Sequence, residues 1–358
     1  MCHRVALLVA LLLVSCTSAA QGADPPDEWE HPRTVSKPGQ IVTRSFLANF
    51  ASSWIWKKAG VVGSTINYAY PGAAPGLLPE PFPTNERGDE FHAAYLQRGR
   101  IFVRTDVGDE LTVADGLRRP RHAQFASDFN DALTVVWQTR RKAFIATGDA
   151  DGAFSEPQVL ARGRGIRHLK LQSSVDETVV AWERKGRIYA RWRFTSDEPF
   201  SEPERIGSGR TTKIDIGFND AMAIGWTTAD RVELVTKTAR GTLQKQTLAQ
   251  GHINGIGVQA STVSWAANGR VERWRFSPPA QTRCLVARGD AHVWDSNNED
   301  TAYTMHGNLY VNDALIDAGG TYRQVQQDAS SVVSWITAKR KLVESRWNSA
   351  TGDPNCLN

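Results

Sequence analysis

Any chemistry in this 358-residue chain has to come from scattered residues. No Gly-x-Ser-x-Gly elbow, phosphate-binding glycine loop or His-Glu-x-x-His helix is present. What recurs is charge. Arg98, Arg140, Arg141, Arg184 and Lys185 follow short apolar runs that end on an aromatic residue, and Arg118, Arg119, Arg164 and Arg167 precede such runs. Clustered cations of this kind collect anions: acidic glycans, envelope polymers or phosphorylated head groups. Solvated hairpin turns copied with the repeat would give the same pattern with no ligand at all. Four histidines, His122, His168, His252 and His292, stand 11 to 15 residues before an aromatic anchor. Metal binding needs several such ligands to converge, and the surrounding arginines oppose a cation, so hydrogen-bonded rim histidines are the simpler reading. For carboxylate chemistry, Asp215 is the acid placed on an inner strand and Asp290 lies near its entrance. Two or three converging carboxylates would be needed for a glycosidase. Asp149-Ala-Asp151-Gly152 reads as a turn rather than a calcium loop, which gathers six or more oxygens. No cofactor motif is present.

The elements that position these residues are a repeat. Ala132-Leu-Thr-Val-Val-Trp137, Thr178-Val-Val-Ala-Trp182 and Ala221-Met-Ala-Ile-Gly-Trp226 are each followed by an alternating strand such as Arg187-Ile-Tyr-Ala-Arg191. The first two then continue into Phe-Ser-Glu-Pro, at Phe154 to Pro157 and Phe200 to Pro203. Degenerate copies end at Trp56, Tyr95, Trp265, Tyr303 and Trp335, so successive anchors are 32 to 45 residues apart. Gly60, Gly99, Gly186, Gly269 and Gly307 each fall four residues after their aromatic, where a tight hairpin needs positive φ. Four short strands per unit (A to D) at a period of about 40 predict an all-β fold, a seven- or eight-bladed β-propeller of antiparallel blades.

These units resemble the repeats of exported bacterial β-propeller proteins, with sialidase-like or WD-like blades that lack a catalytic signature. The resemblance covers most of residues 50–350 and implies architecture, not activity. Thr147 to Phe154 is similar to a sialidase "Asp box" but has an extra residue before its glycine, which makes it a cousin of that turn only.

Sorted on such blades, the arginines fall on the face carrying the B–C turns and D–A connections. Asp128, Asp131, Asp176 and Asp295 fall on the A–B turns of the opposite face. A basic face and an acidic face follow, although net charge is only +4.

Residues 1–23 read as an export signal: Arg4 precedes an apolar run, Val5 to Val14, too short to cross a bilayer. Leu13-Val14-Ser15-Cys16 matches a lipobox, which would lipidate Cys16. A small-residue site near Ala19, Ala20 or Ala23 would instead release the chain. No later stretch is apolar enough to span a membrane. Residues 24–45 form an N-terminal segment able to supply a ring-closing outer strand, and 46–358 the propeller. With Cys2 and Cys16 in the signal, Cys284 and Cys356 remain, and an oxidising compartment favours their disulfide.

The expected function is extracytoplasmic, secreted or in the cell envelope. A non-catalytic propeller would bind an anionic polymer or a protein partner through its basic face. The alternatives are a glycan-active hydrolase or lyase working in the central channel and a lipid-anchored envelope assembly protein. Nucleic acid ranks last among ligands, given the export signal and the lack of a binding motif. A membrane would be met only through the lipid.

Overall fold

In the computed structural model the described residues are 32–48, 51–59, 61–68, 92–97, 99–105, 110–118, 120–128, 132–148, 154–218, 221–239, 241–276, 282–296, 300–327 and 332–346. Arg98, Arg119, Cys16, Cys356, Asp131 and the Asp149–Asp151 turn lie outside them.

Every described element is a β-strand. They assort into seven sheets, the eight-stranded one being two antiparallel four-stranded blades joined by a single parallel bridge from Gly255 to Val293, so the described strands make up eight blades. Blade 3 is Arg121–Ser127, Leu133–Gln138, Lys142–Gly148 and Gln158–Arg162, strands A to D in chain order. Blade 4 is Ile166–Ser173, Thr178–Arg184, Arg187–Arg193 and Glu204–Ser208. Blade 5 is Lys213–Phe218, Met222–Thr227, Arg231–Lys237 and Gln244–Gln250. Blade 6 is Ile253–Gln259, Thr262–Ala267, Arg270–Arg275 and Thr282–Arg288. Blade 7 is Ala291–Ser296, Thr301–Met305, Asn308–Val311 and Ala314–Asp317.

Blade 1 contributes strands A to C (Ile41–Ala48, Ala51–Lys58, Val61–Tyr68). Blade 2 contributes B to D (His92–Gln97, Arg100–Thr105, Glu110–Ala114). Blade 8 takes A to C from the C-terminal end (Tyr322–Gln327, Val332–Thr337, Leu342–Arg346). Its fourth strand is Arg33–Thr34, with Arg33 opposite Glu344. The two ends of the chain therefore share one sheet, which fastens the ring with backbone hydrogen bonds and removes an open edge.

The anchor aromatics explain why the blades stack. Trp137, Trp182, Trp226, Trp265, Tyr303 and Trp335 are all buried on strand B. Three of them stack on an aromatic of strand C: Trp137 on Phe144, Trp182 on Tyr189 and Tyr303 on Tyr310, with ring centroids 5.3 to 5.8 Å apart. Core clusters run from one blade to the next: Ile188, Ala190 and Trp192 of blade 4 pack with Ile214, Ile224 and Trp226 of blade 5. Burying such flat faces against each other is the main stabilising term of the ring.

The B–C hairpins are tight because two successive residues hold positive φ: Lys185-Gly186, Asn268-Gly269 and His306-Gly307. That is the type I′ geometry whose twist suits the flanking strands. The turn carbonyl then accepts an N–H from the D–A connection of the same blade. Gly209 N–H donates to Gly186 O (2.9 Å), Gly289 to Gly269 O (2.8 Å) and Gly320 to Gly307 O (2.8 Å). B–C turns and D–A connections therefore share one face, called the upper face below.

Candidate functional site on the upper face and channel

Strand A lies at one edge of its blade and packs beside the A strands of the neighbouring blades, with one parallel backbone bridge, Gly255 to Val293, between blades 6 and 7, so these strands wall an axial channel. Most A strands carry a bulge near their upper end. Register shifts fall between Arg121 and Gln124, Arg167 and Lys170, Ile253 and Ile256, and Val293 and Asp295. A bulge places an extra residue opposite its partner strand and re-aims side chains. His122 (φ 53°) and His168 (φ 49°) occupy these bulges in left-handed backbone, an uncommon conformation for a residue with a Cβ. At Gly255 (φ 112°) the blade 6 bulge touches blade 7 so closely that a Cβ would lie 2.1 Å from Val293 O.

Below the bulge, one position per blade faces the channel: the residue opposite the one preceding the anchor aromatic. It is Gln124, Lys170, Asp215, Gly257, Asp295 and Gln326 in blades 3 to 8. Gln124 donates from Nε2 to Leu169 O and accepts from Leu171 N–H, both at 2.7 Å. Asp215 Oδ2 accepts from Val258 N–H (3.3 Å) and Asp295 Oδ2 from Gln327 N–H (3.1 Å). The polar side chain at this level staples its blade to the next.

Asp215 is also an ionic hub. Lys170 Nζ lies 2.7 Å from Oδ1 and Lys213 Nζ 3.5 Å from Oδ2, and Ile216 N–H donates to Oδ1 (3.2 Å). Lys213 Nζ spends its other protons on Ile256 O and Trp294 O, both at 2.6 Å. Each Asp215 oxygen thus holds one ammonium and one backbone amide. That saturation makes it a positioning residue rather than an acid–base group.

Above this layer opens a cavity of about 480 Å³ between blades 4 and 8, lined by Lys170, Thr212, Asn254, His292, Trp294, Asp295, Gln324 and Gln326 among others. Asp295, expected on an A–B turn of the acidic face, is instead on strand A of blade 7 and faces this channel. The bulge between Val293 and Asp295 puts it there. Loss of solvent holds its carboxyl above the usual aspartate range; Lys213 pulls it down and Asp215 pushes it up. His292 Nδ1 meets Asn254 Oδ1 at 3.1 Å, and its ring packs edge-on against Trp294. Loss of solvent, and then Lys213, lower the His292 pKa to about 4.

That shift has a sign. The unfolded chain takes up a proton at His292 near pH 6.5 and the folded chain only near pH 4. Stability is therefore lost as pH falls through that interval. Chemical denaturation between pH 7 and pH 4.5 should show a steeper loss for the wild type than for His292→Asn; equal slopes would contradict the burial.

The predicted histidines do not converge. His292 lines the cavity, His122 and His168 occupy bulges of adjacent blades, and His252 is exposed just before blade 6. His252 is fixed by its backbone, which donates to Asn268 Oδ1 and accepts from Asn268 N–H, both at 2.9 Å. Asp290 lies beside this rim, with Asn254 Nδ2 at 3.5 Å from its Oδ1.

The predicted cations do share a face. Arg118, Arg121, Arg140, Arg141, Arg162, Arg164, Arg167, Lys185, Arg187 and Arg210 are all exposed at its turns and strand ends across blades 2 to 5. None of these ten forms an ion pair among the described residues, and Asp115 and Asp230 are exposed acids on the same set of turns. Arg184 is partly committed, its Nη1 donating to Arg162 O (2.9 Å). On the opposite face Asp128 is no solvated acid, since it is buried against Arg193. Lys170, Asn254, Gln324 and Gln326 were not expected from the sequence. Their signal was a polar residue inside an apolar A-strand run, as in Leu169-Lys170-Leu171.

Blades that radiate from walls of A strands, with one sheet shared by both chain ends, leave one architecture. The fold is a β-propeller. No protein-family model and no curated protein matches the sequence. Among solved structures the Dos1 propeller is similar, at 10% identity with a TM-score of 0.57 over 92% of this chain and 98% of that one. The β-propeller domain of the Trilobed protease from Pyrococcus furiosus follows at 10% identity and 0.48, over 78% and 95%. A streptogramin B lyase stands at 12% and 0.47, over 75% and 93%. At such identities the likeness is one of fold alone, and propellers serve binding and catalysis alike.

Proposed function

We propose that this propeller is an extracytoplasmic binding protein that holds an anionic polymer, an acidic glycan or envelope polymer, on its upper face. The observation that carries this reading is the run of exposed, unpaired cations across blades 2 to 5. Ten like charges on a rigid surface repel one another, and a polyanion relieves that repulsion. The test is binding of the mature domain to a panel of acidic polysaccharides. Arg140→Ala/Arg141→Ala/Arg167→Ala should weaken it at least tenfold without changing thermal stability. Equal affinity of the two proteins would sink the reading.

Export through residues 1–23 belongs to the same proposal, with Cys16 either lipidated or removed; intact mass of the mature protein separates the two. So does the Cys284–Cys356 disulfide, supported by Cys284 not standing as a free thiol. A mass change after reduction and alkylation tests it.

A hydrolase or lyase is the second reading. It is favoured by one cavity holding Asp295, whose pKa is raised, and His292, whose pKa is lowered. Asp215 supplies no second acid–base carboxylate, because both its oxygens are taken. Release of shorter products from a bound polymer, abolished by Asp295→Asn, would establish catalysis.

A further inference from the structure

We infer that copies of this chain stack head to tail, the acidic lower face of blades 3 and 4 in one copy docking on the cationic upper face of blades 3 and 4 in the next. The inference stands apart from the polymer reading but shares its cations, so a bound polyanion and a stacked copy compete for one surface.

The Phe-Ser-Glu-Pro motif occurs once in each of these two blades, between strands C and D. Its phenylalanine and serine are spent on the fold. Ser155 N–H donates to Thr147 O (2.7 Å), and Thr147 N–H donates back to Ser155 Oγ (3.1 Å). Ser201 repeats this with Trp192, at 2.8 and 3.0 Å. Phe154 and Phe200 pack on the cores between blades. The glutamates have no such duty: Glu156 and Glu202 are exposed. Glu202 faces Arg191, whose guanidinium is committed to Ser201 O and Phe200 O. The other turns at this end of blade 4 have the same sign. Its C–D turn, closed by Glu198 N–H on Thr195 O (3.2 Å), exposes Asp197 and Glu198. Its A–B turn, closed by Ser174 N–H on Glu177 O (2.9 Å), lifts Val175 to the tip with 52% of its surface exposed. Burial, and then Asp176, hold Glu177 above the usual glutamate range, a conflict that an incoming cation relieves. Among the described residues these turns carry no lysine or arginine.

A second copy fits this face because the opposite ends of the same two blades carry the opposite charge. Arg140, Arg141, Arg164, Arg167 and Lys185 are exposed there and form no ion pair among the described residues. Translation along the channel axis, without rotation, sets these cations against the acids of the next copy. Complementary charge of this kind steers encounter and fixes register. The two surfaces in contact differ, so the interface is heterologous, and a translation does not close into a ring. The stack therefore grows one copy at a time, and each copy added covers the cations of its neighbour.

The test is sedimentation velocity of the mature domain at about 0.01 M and about 1 M salt, between which the screening length falls from about 30 Å to about 3 Å. Self-association at low salt, lost at high salt, is expected. Two variants, each checked for folding by thermal melting, separate the faces. Glu156→Gln/Asp197→Asn/Glu198→Gln/Glu202→Gln should weaken association at least tenfold and bind an acidic polysaccharide at least as tightly as the wild type. Arg140→Ala/Arg141→Ala/Arg167→Ala should weaken association as much and lose the polysaccharide too. Mixed in equal amounts, the two variants should form a one-to-one dimer, since one intact pair of faces remains. A wild type that is monomeric at low salt, or a mixture that stays monomeric, would overturn the stack and leave polymer binding to be decided on its own. Stacking with no affinity for acidic polysaccharides would overturn the polymer reading and leave the stack standing.

Discussion

Asp128→Ala is expected to lower the free energy of unfolding by about 3–5 kcal/mol, because it strands a buried guanidinium. Arg193 and Asp128 expose 3% and 0% of their side chains, with Nη2 3.3 Å from Oδ2. The same Nη2 donates to Thr178 Oγ1 (2.9 Å) and Thr134 Oγ1 (3.4 Å), so strands of blades 3 and 4 share one charge network. Asp128 Oδ1 also accepts from Ala132 N–H (2.9 Å), which shapes the A–B turn. Burial lowers the Arg193 pKa and Asp128 raises it, which locates the vulnerability in the unpaired cation. Urea denaturation of Asp128→Ala measures the loss. Asp128→Leu/Arg193→Met should recover much of it, since a buried pair replaced by apolar groups is often near neutral. A single-mutant loss under about 1 kcal/mol would mean that water reaches the pair.

Asp215→Ala should cost about 2–4 kcal/mol of folding stability, measured by urea denaturation. The deletion leaves Val258 and Ile216 N–H groups without their acceptor and sets two ammonium groups against each other. The lysines are 25% and 34% exposed, so solvent screens part of that repulsion, and the expected cost is below that of the Arg193 network. Asp215→Asn keeps an acceptor while removing the charge and should fall between wild type and alanine.

Much of the ring was legible in the sequence because its determinants are local. An aromatic four residues before a glycine fixes strand B, its hairpin and strand C, and Trp182 to Gly186 shows all three. Hairpin turns also alternate between faces by necessity, so the shared surface of Arg140, Arg167 and Lys185 follows once the blade is recognised. The channel was harder to read. Asp295 looks like a turn acid because it precedes Ser296, Asn297 and Asn298, and only the bulge after Val293 turns it inward. Register decides such positions, and one extra residue flips a side chain across the sheet. Lys170 and Gln326 were equally hidden, since their roles depend on neighbouring blades more than 40 residues away or on the other side of the ring. Asp128 read as a surface charge because its partner, Arg193, is 65 residues distant.

The salt dependence of polymer binding tests the central claim most directly. Affinity of the mature domain for an acidic polysaccharide would be measured at several salt concentrations, for the wild type and for Arg140→Ala/Arg141→Ala/Arg167→Ala. Counterion release makes log affinity fall linearly with log salt, with a slope set by the number of cations engaged. The account predicts a steep wild-type slope that becomes shallower by roughly one unit for each engaged arginine removed. An identical slope in the two proteins, or affinity indifferent to salt, would contradict a polyanion site on the upper face.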